Sequence, residues 1–475
     1  MPDVTVAVSP SDAVILTADT LQLAATVRDA SGTPIPGATV TWSTNAPAVA
    51  TVLDDGRVIP HAAGFATITA TSGGKSAASQ LRVYVGTGTR MPGATSFDSI
   101  IPPLMAKYGI PGGVVGVVKD GRLVLVRGYG YADSTAHIPV SPDALFRIAS
   151  VSKPITSAAV LKLVEQGKLR LDDKAFSLLS DLTPPAGATV DPRLADITVR
   201  HLLQHAGGWD HDRTFDPMFR SKAAADVVGA PAPASAETVI RYMLGQPLQF
   251  DPGTDYSYSN FGYDVLGRII ERVSGMSYGE FVRTQVLAPM GITRTRLGHT
   301  RLSERANGEV RYYDAAGPTL SVFPGEGTVP APYGGFYLEA MDSHGGWLST
   351  AADLLRFVNA VDGRASVPDF LSAPSIDAMT ARPPAAVWQG SASWYGMGWV
   401  VRPSNGDADW WHDGSLPGTT TLLVRAHNGV SWVALFNARK DSGGCAFLCE
   451  LYGALPQAVD GVQQWPTVDL FSRYP

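Results

Sequence analysis

Ser150 stands three residues before Lys153 in FRIASVSKPITSAAV, an otherwise apolar run that begins at Phe146. Positions i and i+3 share a helix face, so a helix starting near Ser150 would set a hydroxyl beside an amine. Pro154 fits such a start, because proline is tolerated in the first helical turn. At that end, free backbone N–H groups and the positive end of the helix dipole favour an alkoxide and disfavour an ammonium. A neutral lysine can take a serine proton, whereas an exposed one is protonated at neutral pH. Taken alone, the same pattern also describes a solvated helix. Ser152, adjacent to Lys153, would face elsewhere.

Two further stretches offer what that pair lacks. DPGTDYSYSNFGYDVLG contains Tyr258-Ser259-Asn260 just before a helical pattern. Tyr258 could relay a proton and the Asn260 amide could hold a substrate carbonyl, while Tyr256, Tyr258 and Tyr263 read equally as packing aromatics. DWWHDGSLPGTTTLLVRA places His412-Asp413-Gly414 where a strand begins. Gly414 would let a substrate approach the backbone closely, with a plain turn as the alternative.

Other conspicuous residues take plainer readings. His201 and His205 have metal-pair spacing, but Leu202 replaces the glutamate of HExxH and no third ligand is evident, so both are assigned to helix packing and no metal is expected. Trp209-Asp210-His211-Asp212 is read as a loop rimming the pocket, with Trp209 as its wall. His344-Gly345-Gly346-Trp347 and Trp410-Trp411 are read as pocket-lining, with core packing as the competitor. Cys445 and Cys449 read as two half-buried thiols, with a short local disulfide as the sharper alternative.

These residues need two kinds of scaffold. From Val4 to Val85, VTVAV, LQLAATV, ATVTWST, ATITAT and LRVYV alternate and are separated by turn-rich pieces, the pattern of a β-sandwich with Trp42 as core anchor. GTGTRMPGATS is a linker. Beyond it, GGVVGVVKDGRLVLVRGYGYAD reads as a hairpin turning at Asp120-Gly121. Helical periodicity follows in ITSAAVLKLVEQGKL, VRHLLQH, YDVLGRIIERVSG, YGEFVRTQVLAPM and TAADLLRFVNAV, and strands return in SWYGMGWVVR, TTTLLVRA and VSWVALFNA. This order predicts one antiparallel sheet whose first and last segments are neighbours, with a helical region inserted between them.

Composition closes off other classes. With 475 residues, 45% hydrophobic, 17% charged and a net charge of −6, the chain is an ordinary globular protein without the basic surface that nucleic acid would require. No apolar stretch approaches the roughly 20 residues of a membrane span. MPDVTVAVSP lacks the features of a signal peptide, and an expression start placed after a removed signal would look the same.

In the order SxxK, YxN, HxG, the motifs resemble the serine β-lactamase and penicillin-binding-protein superfamily. The subgroup most alike is the class C β-lactamase-like hydrolases, with family VIII carboxylesterases, DD-peptidases and D-aminopeptidases. FRIASVSKPIT, ITVRHLLQHAGGW, PGTDYSYSNFGYDVLG, GGWLSTAADLLRF and YGMGWVV carry the likeness from about Gly112 to about Ala438. WSTNAPAVATVLDDGRVIPHAAGFATITATSGG resembles the bacterial Ig-like group 2 domain. The resemblances imply an all-β Ig-like sandwich over residues 1–86, a linker over 87–96, and an α/β (α+β) β-lactamase-like domain over 97–475. They also imply Ser150 as acylated nucleophile, Lys153 as its proton partner, Tyr258 as second proton carrier, Asn260 as a substrate-orienting group, His412 as a substrate-binding group, and an oxyanion hole from the N–H groups of Ser150 and Ser415. No cofactor is implied.

One departure bears on the substrate. β-Lactamases carry Lys-Thr/Ser-Gly in the third element, and here the positions hold His412 and Asp413. A mostly neutral histidine and a nearby aspartate predict a preference for uncharged esters or amides over penicillins. The expected function is an exported serine hydrolase of the esterase type. An amidase, peptidase or β-lactamase on the same scaffold is the alternative, and a non-catalytic adhesive or wall-binding protein is the competitor from another class. The Ig-like domain would contact a cell surface or polymer, or stabilise the catalytic domain.

Overall fold

Alternating apolar and polar side chains need a sheet buried on one face, and the N-terminal backbone pairs accordingly. In the computed structural model, which describes residues 3–440 and 445–474, Asp12–Leu16, Lys75–Tyr84, Gly64–Ser72 and Thr41–Thr44 form one sheet in that order. Leu21–Gln22, Arg57–Pro60 and Ala50–Val52 form another, and Thr5–Ser9 pairs with Ala24–Arg28. Leu23, Val58, Ile68, Leu81 and Val83 build the core, with the partly buried Trp42 packed against it. In the turn of DDGR, Gly56 has φ of +83°, and an added Cβ would lie 2.5 Å from Leu23 O and 2.9 Å from the Trp42 ring. Only glycine suits both the conformation and the space. The Ig-like sandwich read from the sequence is present, and Asp12–Leu16, Ala50–Val52 and Arg57–Pro60 join the strands that alternation indicated.

By proximity the chain forms two units, one of Met1–Val114, Arg127–Pro142 and Cys445–Pro466, the other of Val115–Val126, Asp143–Gly444 and Thr467–Pro475. In the first, the helix Ala446–Asp460 packs on the helix Ser96–Tyr108: Tyr108 donates to Glu450 at 2.6 Å, and Ser96 Oγ donates to Ala458 O at 2.6 Å. Cys445 and Cys449 are joined as a disulfide at the start of Ala446–Asp460. This corrects the reading of two free thiols, since one helical turn brings i and i+4 within bonding reach.

Asp120 and Gly121 have φ of +49° and +79°, the backbone that a tight hairpin turn needs at both central residues. The sheet runs Gly86–Thr87, Arg122–Asp133, Gly112–Lys119, Val430–Phe436, Thr419–Arg425, Asp407–Leu416, Val400–Ser404, Trp394–Tyr395. Its pairings from Trp394 through Phe436 are antiparallel, and Gly112–Lys119 lies beside Val430–Phe436, so early and late segments are neighbours. The inserted helices include Ser152–Glu165, Asn260–Ser274 and Ala351–Asn359. The second unit holds every site residue that the sequence singled out. Among the described residues, no helix is long and apolar enough to cross a membrane.

Candidate active site

Ser150 sits in a single 3-10 turn, Ala149–Val151, that runs into the α-helix Ser152–Glu165, so the hydroxyl precedes the helix rather than opening it. Ala149 has φ of +48°, a left-handed conformation that costs a non-glycine residue about 1 kcal/mol or more and persists only where the surroundings enforce it. Ile148 N donates to Trp347 O at 2.9 Å, and Thr421 Oγ1 donates to Ile148 O at 3.0 Å. A Cβ at Gly414 would lie 2.5 Å from Ile148 O and 2.3 Å from Thr421 Oγ1. The sequence reading opened Gly414 to a substrate. What approaches it in the structure is the turn that carries Ser150.

Lys153, the second residue of the helix, is fully buried. Its Nζ lies 3.1 Å from Ser150 Oγ, 2.7 Å from Asn260 Oδ1 and 3.1 Å from the His344 carbonyl. Burial lowers the Lys153 ammonium to about 7, with the carboxylates of Asp216 and Asp413 opposing the drop. The last two partners can only accept, whereas a serine hydroxyl can also donate. A neutral amine has two N–H groups for those acceptors and one lone pair left for Ser150.

The orientation of Asn260 is set from behind. Its Nδ2 donates to Asp216 Oδ2 at 2.6 Å, which fixes the amide with Oδ1 toward Lys153. Asp216 is itself held as the cap of the 3-10 turn Pro217–Phe219, accepting from Met218 N. Asp216 was invisible in the sequence, where Asp-Pro signals only a turn. Asn260, assigned there to substrate, therefore also ties Lys153 to Asp216.

Burial pushes the Tyr258 hydroxyl well above the usual tyrosine range, with the neighbouring Ser150 opposing the rise. Its ring centroid is 4.7 Å from Lys153 Nζ. The loop that carries it is pinned by two histidines: His211 Nδ1 donates to Tyr258 O at 2.7 Å, and Ser259 N donates to His205 Nδ1 at 3.1 Å. His205 lies beyond the helix Val199–Leu203, and its ring packs 4.5 Å from Tyr258 and 4.4 Å from Tyr395. It is thus a support of the site rather than a helix-packing residue. His201 caps its helix, with Thr198 N donating to Nδ1.

His412 is buried on the strand Asp407–Leu416. Its Nδ1 lies 2.6 Å from Asp413 O, and its Nε2 lies 3.0 Å from the Tyr395 hydroxyl. A carbonyl only accepts, so Nδ1 carries the proton and Nε2 accepts from Tyr395. Burial lowers the His412 imidazolium to about 4. Both nitrogens are occupied internally, which corrects the reading of His412 as a substrate-binding group.

A family model described as Beta-lactamase matches residues 97–445. The chain belongs to the beta-lactamase family. A second model, Bacterial Ig-like domain (group 2), matches residues 4–83. Penicillin-binding protein 4* of Bacillus subtilis (strain 168) is 30% identical over 321 residues, 66% of this chain and 65% of that protein. Protein flp of Staphylococcus aureus (strain COL) is 31% identical over 208 residues, 44% of this chain and 39% of that protein. The match therefore spans 65% of the one relative's length and 39% of the other's. The octameric penicillin-binding protein homologue from Pyrococcus abyssi aligns with a TM-score of 0.59 at 25% identity, over 79% of this chain and 80% of that one. Two structures share the fold at 24% identity, each with a TM-score of 0.60 over 78% of this chain: the D-amino acid amidase from Ochrobactrum anthropi SV3, 99% covered, and EstCE1, a hydrolase with promiscuous acyltransferase activity, 98% covered.

Within this beta-lactamase-family fold, the other expected residues take distinct places. Ser415 is exposed near the end of its strand, opposite Thr420. Trp209, expected as a pocket wall, is only 6% exposed and packs edge-on to Phe261 at 4.7 Å and Phe176 at 6.2 Å. Gly207 lies against its ring, where a Cβ would fall 2.6 Å away, so Trp209 belongs to the core beneath the loop. Trp410 likewise packs against Trp399 and Arg425. His344 contributes its carbonyl to Lys153 while its ring is buried, and Trp347 donates to the Tyr278 hydroxyl at 3.0 Å. These tryptophans were misplaced because a large apolar side chain suits a pocket and a core equally in sequence.

Proposed function

We propose that this protein is a serine hydrolase that cleaves carboxylic esters through an acyl-enzyme on Ser150. The set of partners around Lys153 Nζ carries the reading, because it accommodates a neutral amine whose lone pair faces the Ser150 hydroxyl. Lys153 takes the Ser150 proton as Oγ bonds to the ester carbonyl carbon. Tyr258, held protonated, is the donor rather than the first acceptor: it gives its proton to the departing alkoxide as the acyl–oxygen bond breaks, and is reprotonated from Lys153. Water then loses a proton to Lys153 and attacks the acyl carbon; the bond from that carbon to Ser150 Oγ breaks, Lys153 returns the proton to Oγ, and the acid leaves. Backbone N–H groups of Ser150 and Ser415 are proposed to hold the oxyanion.

Burial leaves Lys153 with little charge above about pH 7, while the carboxylates of Asp216 and Asp413 are close enough to act on it. Together with a neutral His412, this disfavours a substrate carboxylate and supports uncharged esters. The same two carboxylates favour a second reading, hydrolysis of amides that carry an ammonium group. Side-by-side rates on a p-nitrophenyl ester, an amino-acid amide and a chromogenic cephalosporin test both: the ester is expected to lead, a leading amide would install the second reading, and efficient cephalosporin turnover would defeat the charge argument. Fluorophosphonate labelling lost in Ser150→Ala checks the nucleophile itself.

The disulfide between Cys445 and Cys449 supports export to an oxidising compartment. There the Ig-like domain would hold the enzyme at a surface or polymer, and sedimentation of the whole protein with insoluble cell-wall polymer checks that. Recovery in the supernatant alone would count against it.

A further inference from the structure

Tyr395 was met in the sequence only as part of a returning strand, YGMGW, yet it is central to the geometry around Ser150. It is 2% exposed, and its ring lies 4.4 Å from His205, 6.0 Å from Tyr256 and 6.4 Å from Tyr258. Its hydroxyl reaches His412 Nε2 at 3.0 Å. The His412 ring in turn stands 6.3 Å from the Tyr258 ring.

We propose that Tyr395 is a specificity-determining positioning residue: by donating to Nε2 it locks His412 as the uncharged Nδ1–H form, so the third element stands beside Tyr258 without offering a cation or a free donor to a substrate carboxylate. The proposal rests on Ser150 being acylated, but its structural half stands independently.

The surroundings agree with that role. The groups that act on His412 are Asp413 on its own strand, Lys153 from the helix Ser152–Glu165, and His205, Tyr258 and Tyr395 from the elements packed against it. Burial disfavours an imidazolium most and Lys153 acts with it, and together they outweigh Asp413, which favours one. Burial holds His205 neutral, and its Nδ1 accepts from Ser259 N. With its hydroxyl in place, Tyr395 consumes the lone pair that protonation would need. Without it, Nε2 is free to take a proton at the edge of the site, where an imidazolium would attract a carboxylate.

The test joins a spectroscopic and a kinetic reading on the whole protein. Imidazole nitrogen NMR of histidine-labelled protein, with His412→Gln to assign the signal, is expected to show the Nδ1–H form and no imidazolium above about pH 5. In Tyr395→Phe, protonation moves up from about 4 but burial holds it short of the ordinary histidine value of about 6.5, and the kcat/KM ratio of a succinate monoester to a neutral ester rises about threefold at about pH 5, returning to the wild-type ratio at about pH 8. An Nε2–H form or an imidazolium near pH 6.5 in the wild type, at about the ordinary value, overturns the proposal, and so does an unchanged ratio or an equal fall for both substrates in Tyr395→Phe. Should Tyr395→Phe not fold, the wild-type spectrum still decides. Fluorophosphonate labelling of Ser150 reports separately: its failure sinks the acyl-enzyme reading and leaves the state of His412 measurable.

Discussion

The N-terminal sandwich and the surroundings of Ser150 are built to opposite rules. Among the described residues between 4 and 83, Ser79 is the one polar side chain that is buried, and Leu23, Val58, Ile68 and Leu81 form a plain apolar core. Around Ser150, Lys153, His205, His344 and His412 are all buried. Nε2 of His205, Nε2 of His344 and Oγ of Ser152 have no hydrogen-bond partner among the described residues, and Ala149 holds a left-handed backbone. Burying polar groups costs stability unless each is fully paired, so they persist where something besides stability selects them. The contrast marks one region as scaffold and the other as chemistry without reference to any motif.

Four substitutions would break or sharpen that contrast. Ser150→Ala is expected to lower kcat by about four to six orders of magnitude while the protein still folds. Residual turnover near the wild-type rate would place the chemistry elsewhere. Lys153→Met is expected to lower kcat by about two to four orders of magnitude and to raise the melting temperature, because an apolar side chain replaces a buried amine. The sign follows from Lys153 falling from 10.5 to about 7 on folding. Between those values the unfolded chain binds the extra proton, so wild-type stability climbs as pH rises and the cost is largest below about 7. Lys153→Met should flatten that climb in calorimetric scans across the same window, and an unaltered slope would mean that Lys153 is charged in the folded protein.

Asp216→Asn has a smaller expected effect, a fall in kcat of about ten- to a hundredfold, because Asn260 loses the acceptor that orients its amide. Wild-type activity is expected to rise with pH through about 7 as Lys153 is released. In Asp216→Asn that limb moves to lower pH, since one of the charges that favours the ammonium is gone; a limb that stays in place would remove Asp216 from the network. Ile68→Ala should cost the sandwich about 2–5 kcal/mol by leaving a cavity. It is expected to leave kcat/KM on a soluble ester unchanged, and a change would show that the sandwich core and the site are coupled.

Much of this was legible in the chain. Alternation and turn residues marked the sandwich, Asp120-Gly121 marked the hairpin, and the spacing from Ser150 to Lys153 survives even though the helix begins at Ser152. Local geometry carries these: a helical repeat, a strand repeat and a left-handed turn depend on neighbours a few residues away. The disulfide was half legible for the same reason, since spacing permits the bond without deciding it.

What only the tertiary structure decided lies between residues far apart in sequence. Asp216 meets Asn260 across 44 positions, Lys153 meets Asn260 across 107, and the His344 carbonyl completes the set across 191. Side-chain type alone leaves lysine an ordinary base, tryptophan either wall or core, and histidine either ligand or strut. Burial and the identity of hydrogen-bond partners choose among these, and both are properties of the folded surroundings. The sequence by itself therefore determined which groups this protein has for chemistry and which local elements carry them. The packing of distant segments decided that Lys153 loses its charge near neutrality, that Trp209 supports rather than lines the site, and that His412 stands neutral against Tyr395.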